Sequence, residues 1–239
     1  MTIATRPVDY TYDGHAYEGL LAFDDSVSGK RPAVLISHAW AGRGAVEEEW
    51  TKRLAALGYA GFAIDLYGKG VYGKTTAECQ ALMNPLASNR PYLQARLLNV
   101  IEVVKKLPEV DANKIVVMGF CFGGLCALDV ARTGADVKGV ASFHGLFGAP
   151  GNTKENKITA KVIAFHGWDD PMVKPDDVKA FGLELTDAGA DWQICAYGGT
   201  MHAFTNPKAN DPAFGTVYNK RAADRSWESF KLFLNECFA

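Results

Sequence analysis

A cysteine set among glycines near the middle of the chain is the feature best suited to chemistry. The segment 119–124 has the sequence Gly-Phe-Cys-Phe-Gly-Gly, between an apolar run that predicts a buried strand and a stretch that predicts a helix. Its glycines permit a sharp strand-to-helix turn in which Cys121 adopts a strained conformation with its sulfur exposed. The helix N-terminus and a nearby imidazolium would both favour the thiolate. The pattern therefore predicts Cys121 as a nucleophile.

An acid and a base follow later in the chain, in the order nucleophile, acid, base. Asp169 and Asp170 come after the apolar run Val162–Phe165, and His202 lies on a glycine-flanked loop after the run Trp192–Tyr197. In a thiol hydrolase the imidazole takes the thiol proton and later protonates the leaving group, while a carboxylate fixes the tautomer of the imidazole. We predict His202 as the base and Asp170 as the acid, with Asp169 as a cap of the following turn.

Simpler interpretations compete with these roles. Cys121 could be an ordinary buried cysteine in a glycine-rich turn, although the position of the motif between a buried strand and a helix favours the nucleophile. A dinucleotide site would need G-x-G-x-x-G after the first strand of a βαβ unit, which the chain lacks. Among the other histidines, His15 is interpreted as a solvated turn residue, and His144 and His166 as packing residues at strand ends. His38 could approach the site.

Acyl transfer also needs N–H donors for the developing oxyanion. The backbone N–H of Phe122, next to the nucleophile, is predicted as one donor. The second should come from the loop that follows the strand ending at Ser37, and Trp40 is the predicted residue. Trp40 could instead form only a hydrophobic wall of the site.

The elements that must position these residues alternate along the chain. Short apolar runs predict strands buried on both faces: Ala33–Ser37, Ala60–Ile64, Lys114–Met118, Val137–Ala141 and Val162–Phe165. Helical patterns accompany them: Val46–Leu57, Tyr92–Leu107, Phe122–Thr133, Pro175–Ala188 and Arg225–Phe238. Two further strands, Val8–Tyr12 and Ala16–Phe23, flank a turn at Asp13-Gly14. The alternation predicts a mostly parallel α/β sheet with helices on both faces and ligands beyond the carboxyl ends of its strands.

Composition limits the remaining possibilities. The 239 residues, 48% of them apolar and 22% charged, predict a single domain over 1–239 with a sizeable core. A net charge of -2 gives no basic footprint for nucleic acid or for an anionic membrane, so neither partner is expected. The five cysteines include no CxxC pair, so we expect no structural zinc site and no disulfide framework. The absence of an apparent secretory signal predicts a cytoplasmic protein.

Together the motifs resemble the dienelactone hydrolase family of α/β-hydrolases, from about Ala33 to the C-terminus. The matching segments are 119–124, Gly-x-x-Asp at 167–170, Gly-Thr-Met-His-Ala-Phe at 199–204 and Asp-Leu-Tyr-Gly at 65–68. The resemblance implies the α/β-hydrolase fold and a cofactor-free cysteine hydrolase. It also implies Cys121, Asp170 and His202 as a triad, with Phe122 and Trp40 as oxyanion donors.

Two departures from the family pattern bear on the substrate. Ala39 stands where members that act on dienelactones commonly have a glutamate in contact with the resting cysteine. Phe204-Thr-Asn-Pro207 stands where they have an arginine that pairs with the substrate carboxylate. We therefore predict a neutral or aromatic substrate. Its pocket is predicted to be bordered by four residues besides Trp40: Ala39, Tyr72, Trp168 and Phe204. Three other cations could compensate for the arginine, although solvated surface positions are the simpler expectation for them: Lys74, Arg90 and Arg96.

The function predicted from the sequence is hydrolysis of carboxylic esters or lactones through an acyl-thioester, with aryl esters and phosphotriesters as secondary substrates. The partner would be a small-molecule ester or lactone, and the protein a monomer or a homodimer. A thioesterase or a small peptidase would use the same triad. A receptor on the same scaffold would bind its ligand without turnover, and an interaction protein would leave the triad spacing unexplained.

Overall fold

A computed structural model describes residues 2–239. This part of the chain contains ten strands: β1 (Ile3–Tyr12), β2 (His15–Asp24), β3 (Arg31–Ser37), β4 (Ala60–Ala63), β5 (Val110–Phe120), β6 (Gly139–Phe143), β7 (Lys161–Gly167), β8 (Trp192–Tyr197), β9 (Asn210–Asp211) and β10 (Thr216–Val217). It also contains six helices: α1 (Ala45–Ala55), α2 (Thr76–Ala87), α3 (Arg90–Lys105), α4 (Phe122–Arg132), α5 (Pro175–Asp187) and α6 (Lys220–Phe238).

Eight of the strands form one sheet, in the order β1-β2-β4-β3-β5-β6-β7-β8. The pairs β1–β2 and β2–β4 are antiparallel, and every neighbouring pair from β4 to β8 is parallel. The predicted mostly parallel α/β sheet is therefore confirmed. The parallel strands end on one side of the sheet, so the loops that follow them converge there.

The sheet is buried on both faces, which explains the unbroken apolar runs in the sequence. Successive residues of a strand point to opposite faces. In β3, Leu35 packs in one apolar cluster with Leu97 of α3, while Ile36 packs in a second cluster with Phe230 of α6. Helices α2 to α5 contribute to the first cluster, and α1 and α6 to the second. Helices therefore cover both faces, as the pattern predicted.

Helix α6 covers the second face through one apolar side. It contacts β5, β6 and β7. Phe230 and Leu234 are completely buried, whereas Leu232, which points away from the sheet, is 70% exposed. Within residues 2–239, no helix combines the length and the apolar character that crossing a bilayer demands.

Two local elements extend what the sequence predicted. The turn between β1 and β2 has positive φ at both Asp13 (51°) and Gly14 (74°), as a type I′ turn requires, and the paired strands are longer than expected. Helix α2 was not predicted. Its start is nevertheless visible in the sequence as a capping box, because the Thr75 side chain accepts the N–H of Glu78 at 3.2 Å.

Candidate active site

Cys121 occupies the turn between β5 and α4. Its φ of 55° and ψ of -115° lie in a region that non-glycine residues rarely adopt. Its N–H donates to the carbonyl of Phe143, at the end of the neighbouring strand β6, at 3.0 Å. The side chain is half-buried. The turn thus holds the thiol at the N-terminus of α4 in a conformation that the surrounding structure must enforce.

Two glycines make this turn possible. A Cβ at Gly119 would lie 2.1 Å from the carbonyl oxygen of Gly123. A Cβ at Gly123 would lie 2.1 Å from the carbonyl oxygen of Ser37 and 2.7 Å from that of His38. The loop after β3 therefore rests directly on the cysteine-bearing turn, and no larger residue fits between them.

His202 and Asp170 form a buried pair. Nδ1 of His202 lies 2.7 Å from Oδ2 of Asp170, and the two residues are 2% and 3% exposed. The other carboxylate oxygen, Oδ1, accepts the N–H of Met172 at 2.8 Å, which fixes the carboxylate plane. Asp169 is exposed and does not contact the ring. Of the two aspartates weighed from the sequence, Asp170 is the one that meets His202.

Opposing effects act on the proton of His202. Burial lowers the pKa of the imidazole, but the charge of the Cys121 thiolate and the contact with Asp170 outweigh burial and raise this pKa from 6.5 to about 10. Nε2 has no hydrogen bond of regular geometry with any residue in 2–239. The Cys121 sulfur nevertheless lies close enough to the ring for its charge to act on it. This arrangement favours the protonated imidazole beside the sulfur.

The backbone of His202 is held by the small hairpin of β9 and β10. Its N–H donates to the carbonyl of Gly215 at 3.0 Å, and its carbonyl accepts the N–H of Val217 at 3.1 Å. The next residue, Ala203, has a positive φ of 56°. A Cβ at Gly215 would lie 2.2 Å from the ring of Pro171, so the hairpin also rests on the residue that follows Asp170.

The predicted oxyanion donors lie on the two elements that meet at Gly123. Phe122 is the first residue of α4, where N–H groups have no partner within the helix, and its side chain is fully buried. Trp40 lies on the loop after β3 and is half-buried. Its carbonyl accepts the hydroxyl of Tyr67 at 2.9 Å, and its ring stacks on Phe214 with centroids 6.0 Å apart.

Not all of the residues predicted to border the substrate pocket have the exposed surface that this role requires. Ala39 is half-buried on the loop beside Trp40, and Trp168 is 46% exposed at the end of β7. Phe204 is completely buried and packs against the rings of His144 and Tyr197. The prediction that Phe204 borders the pocket is therefore wrong, because a side chain without exposed surface cannot line an open pocket.

Tyr72 lies beside a neighbouring cavity of about 380 Å³. The lining of this cavity also includes Arg43 and Asp65, whereas Cys121 and His202 are absent from it. The side chain of Tyr72 is 48% exposed and lies over Gly44. Tyr72 thus borders a cavity whose lining includes neither of the reacting groups.

His38 has a structural role. It is fully buried, its Nδ1 donates to the carbonyl of Ala39 at 2.6 Å, and its Nε2 accepts the N–H of Leu66 at 3.2 Å. Burial lowers the pKa of the ring to about 4, which keeps it neutral. His38 therefore links the loops after β3 and β4, and does not serve the thiol. His15 is exposed at the start of β2, as expected.

Two of the cations considered as substitutes for the family arginine have structural partners. Arg90 forms an ion pair with the buried Asp129. Arg96 is 7% exposed, donates to the carbonyl of Leu66 and has its guanidinium over the ring of Tyr17. The expectation that these two are solvated surface charges is wrong, since both are drawn into packing. Lys74 is exposed.

Sequence reasoning missed two residues at this site. Phe214 lies at the tip of the β9–β10 hairpin, 45% exposed, and stacks on Trp40. A Pro-x-x-Gly turn at 212–215 was the available signal for the hairpin. His144 lies against the ring of His202, with centroids 5.1 Å apart. Nothing local in the sequence places that contact, because it joins two loops far apart along the chain.

Comparison with known proteins agrees with this architecture. The model of the dienelactone hydrolase family matches residues 17–238. A protein of Aquifex aeolicus (strain VF5) assigned as a carboxymethylenebutenolidase is 30% identical over 203 residues, 82% of this chain and 84% of that protein. A Bradyrhizobium protein assigned as a 2-oxo-3-(5-oxofuran-2-ylidene)propanoate lactonase is 25% identical over 246 residues, 98% of this chain and 94% of its own.

A solved structure extends the comparison to three dimensions. The crystal structure of a dienelactone hydrolase-like promiscuous phosphotriesterase from metagenomic libraries superposes with a TM-score of 0.92 at 32% identity, covering 99% of each chain. The family model spans nearly the whole sequence, and the fold is shared throughout. The chain belongs to the dienelactone hydrolase family of α/β-hydrolases, enzymes that cleave ester and lactone bonds.

Proposed function

We propose that this chain hydrolyses carboxylic esters or lactones with Cys121 as the nucleophile, through an acyl-thioester. The observation that supports this most directly is the buried Asp170–His202 pair beside a cysteine held at φ 55° at a helix N-terminus. The geometry matches what thiol catalysis requires: a base oriented by a carboxylate, next to a sulfur that is half-exposed to substrate.

In the acylation step the thiolate of Cys121 attacks the ester carbonyl carbon. The electron pair moves to the carbonyl oxygen, which the N–H groups of Phe122 and Trp40 stabilise. The carbon–oxygen bond to the leaving group then breaks as His202 transfers its proton to the departing oxygen. Asp170 holds the ring orientation and stabilises the imidazolium throughout.

In the deacylation step a water molecule gives a proton to His202 and attacks the thioester carbonyl. The same two N–H groups stabilise the second oxyanion. The carbon–sulfur bond breaks, which releases the acid and restores the thiolate beside the protonated ring. The high pKa of His202, about 10, matches a resting state in which the ring is protonated.

The substrate is proposed to be neutral and at least partly aromatic. The family arginine is replaced by the segment 204–207, and Arg90 and Arg96 both have structural partners. A substrate carboxylate would therefore lack the bidentate arginine with which it pairs in family members that act on dienelactones. Partly exposed aromatic surface is instead offered by Trp40 on the loop after β3, by Trp168 after β7 and by Phe214 on the hairpin that holds His202.

The test is a substrate panel on the wild type, on Cys121→Ala and on Cys195→Ala as a thiol control in β8. p-Nitrophenyl butyrate should be turned over faster than an anionic dienelactone. Cys121→Ala should lose at least ~10³-fold in kcat, while Cys195→Ala should behave like the wild type. A strong preference for the anion would refute the substrate class, and full activity of Cys121→Ala would refute the nucleophile.

A secondary phosphotriesterase activity is supported by one specific likeness, since the protein that superposes at 32% identity is a promiscuous phosphotriesterase. A thiolate that faces two N–H donors can attack an activated neutral phosphorus and expel an aryloxide. Paraoxon hydrolysis by the wild type, absent in Cys121→Ala, would support this activity.

Mass spectrometry separates hydrolysis from the remaining alternatives. Incubation with an activated ester should add an acyl group to Cys121 if the residue is a nucleophile. A ligand receptor would give neither adduct nor product. Thioester and peptide substrates in the same panel would distinguish a thioesterase or a peptidase, which use the same groups.

A further inference from the structure

Backbone strain is concentrated around the candidate site. Four non-glycine residues within 2–239 have positive φ: Asp13, Cys121, His144 and Ala203. Asp13 belongs to a hairpin turn, where such a conformation is ordinary. Cys121 is the proposed nucleophile, and Ala203 directly follows His202, the proposed base. His144, with φ 41°, has no part in the proposed mechanism, yet the fold holds it in a conformation that costs an L residue on the order of 1 kcal/mol.

The contacts of His144 are directed at the base. Its ring packs edge-on against that of His202, with centroids 5.1 Å apart and an interplanar angle of 65°. Its Nε2 lies 2.8 Å from the hydroxyl of Thr205, three residues after His202 on the same loop. Phe120 and Phe204 complete its surroundings, with ring centroids 5.9 Å and 5.2 Å away.

The backbone of His144 is fixed as firmly as its side chain. Its N–H donates to the carbonyl of Phe165 in β7 at 2.8 Å. It directly follows Phe143, whose carbonyl accepts the N–H of Cys121 at 3.0 Å. The same short segment therefore supports the nucleophile through its backbone and the base through its ring.

The two adjacent imidazoles differ in charge. Burial and the charge of His202 lower the pKa of His144 well below its usual value, so His144 stays neutral. The other ionisable groups that act on the ring of His202 are Cys121 and Asp170, which favour its protonation. His166, completely buried in β7, also has its pKa lowered, chiefly by burial. Of these three histidines, His202 is therefore the one that holds the additional proton.

We propose that His144 is a positioning residue, whose ring and whose hydrogen bond to Thr205 fix the orientation of His202 toward Cys121. The proposal rests on the proposed function only in taking His202 as the base. The strained, left-handed backbone of His144 directs its ring from the end of β6 onto the ring of His202. Without the bond to Thr205, the loop 203–206 could shift and rotate the ring of His202.

The test compares Thr205→Val, which removes the hydroxyl and keeps the shape, with Thr205→Ser, which restores a hydroxyl. His144→Asn is the second variant, because asparagine tolerates positive φ. The first measurement is the rate of Cys121 alkylation by iodoacetamide as a function of pH, which requires no ester hydrolysis. The second is kcat and KM for p-nitrophenyl butyrate.

Thr205→Val and His144→Asn should shift the pH profile of alkylation and lower kcat by about tenfold with KM unchanged. Thr205→Ser should restore both properties toward the wild type. If both variants lose only thermal stability and keep the wild-type alkylation profile and kcat, His144 is merely a packing residue and the proposal is overturned. If the wild type fails to hydrolyse esters, the alkylation profiles still decide whether His144 positions His202.

Discussion

Removing the sulfur of Cys121 should lower the pKa of His202. In the wild type this pKa is about 10, against 6.5 for an unperturbed histidine, although burial alone would lower it. The charge of the Cys121 thiolate is the largest of the effects that raise it; the hydrogen bond and charge of Asp170 and a hydrogen-bonding contribution from Cys121 add to it. Cys121→Ala removes the effects of the sulfur and leaves those of Asp170.

The size of the change follows from the charges involved. Two unit charges about 4 Å apart interact by about 4 kcal/mol at an effective dielectric constant near 20, which corresponds to about 3 pKa units. Cys121 is half-exposed, so water screens part of this interaction. We expect the pKa of His202 to fall by about 1 to 3 units in Cys121→Ala.

The assay is an NMR titration of the His202 imidazole between pH 5 and 11 in the wild type, in Cys121→Ala and in Cys195→Ala. Since the raised pKa reflects the protonated form being favoured, the wild-type ring should keep its proton until the pH approaches about 10. In Cys121→Ala the proton should leave at a lower pH, and Cys195→Ala should titrate like the wild type. An unchanged midpoint in Cys121→Ala would refute the claim that the thiolate acts on this ring.

Three further predictions concern the acid, the aromatic surface and the turn. Asp170→Asn should lower kcat for an ester by about 10⁴-fold, whereas Asp169→Asn should leave it unchanged. Phe214→Ala should lower kcat/KM about fivefold for an aryl ester and leave an alkyl ester unaffected, because only the aromatic ring loses a stacking partner. Gly123→Ala should destabilise the fold by about 3 kcal/mol in thermal unfolding, since its Cβ would lie 2.1 Å from a carbonyl oxygen, while Gly148→Ala, with no atom within 4 Å of its Cβ, should not.

Each of these expectations has an outcome that contradicts it. Equal losses in the two aspartate variants would mean that the contact with His202 is not what matters. A uniform loss over aryl and alkyl esters in Phe214→Ala would indicate damage to the hairpin rather than lost stacking. A Gly123→Ala protein that melts like the wild type would mean that the loop after β3 yields easily.

The sequence predicted the sheet because its strands are buried on both faces and leave continuous apolar runs. The turn at Cys121 was predictable because only glycine tolerates the close approach between Gly123 and the carbonyl of Ser37. The order of acid and base along the chain followed from the strands that precede them. These features share a cause: each depends on local pattern or on one steric requirement.

The surroundings of the site were less predictable because they depend on contacts between distant loops. Phe204 follows His202 by two residues, but its side chain points into the core, a direction that loop sequence does not reveal. Tyr72 lies beside a separate cavity for the same reason. The contact between His144 and His202 joins the ends of β6 and β8, so only the assembled sheet produces it.

Because the β9–β10 hairpin holds His202, the arrangement of the reacting groups can be lost while the rest of the fold remains. Both backbone groups of His202 bond to this hairpin, whose strands are two residues long and whose side chains are mostly at the surface. Opening such an element costs far less than dismantling an eight-stranded sheet. The protein can thus lose the placement of its proposed base, His202, while its architecture stays intact, and substitutions in the hairpin should change how long the proposed activity survives heating.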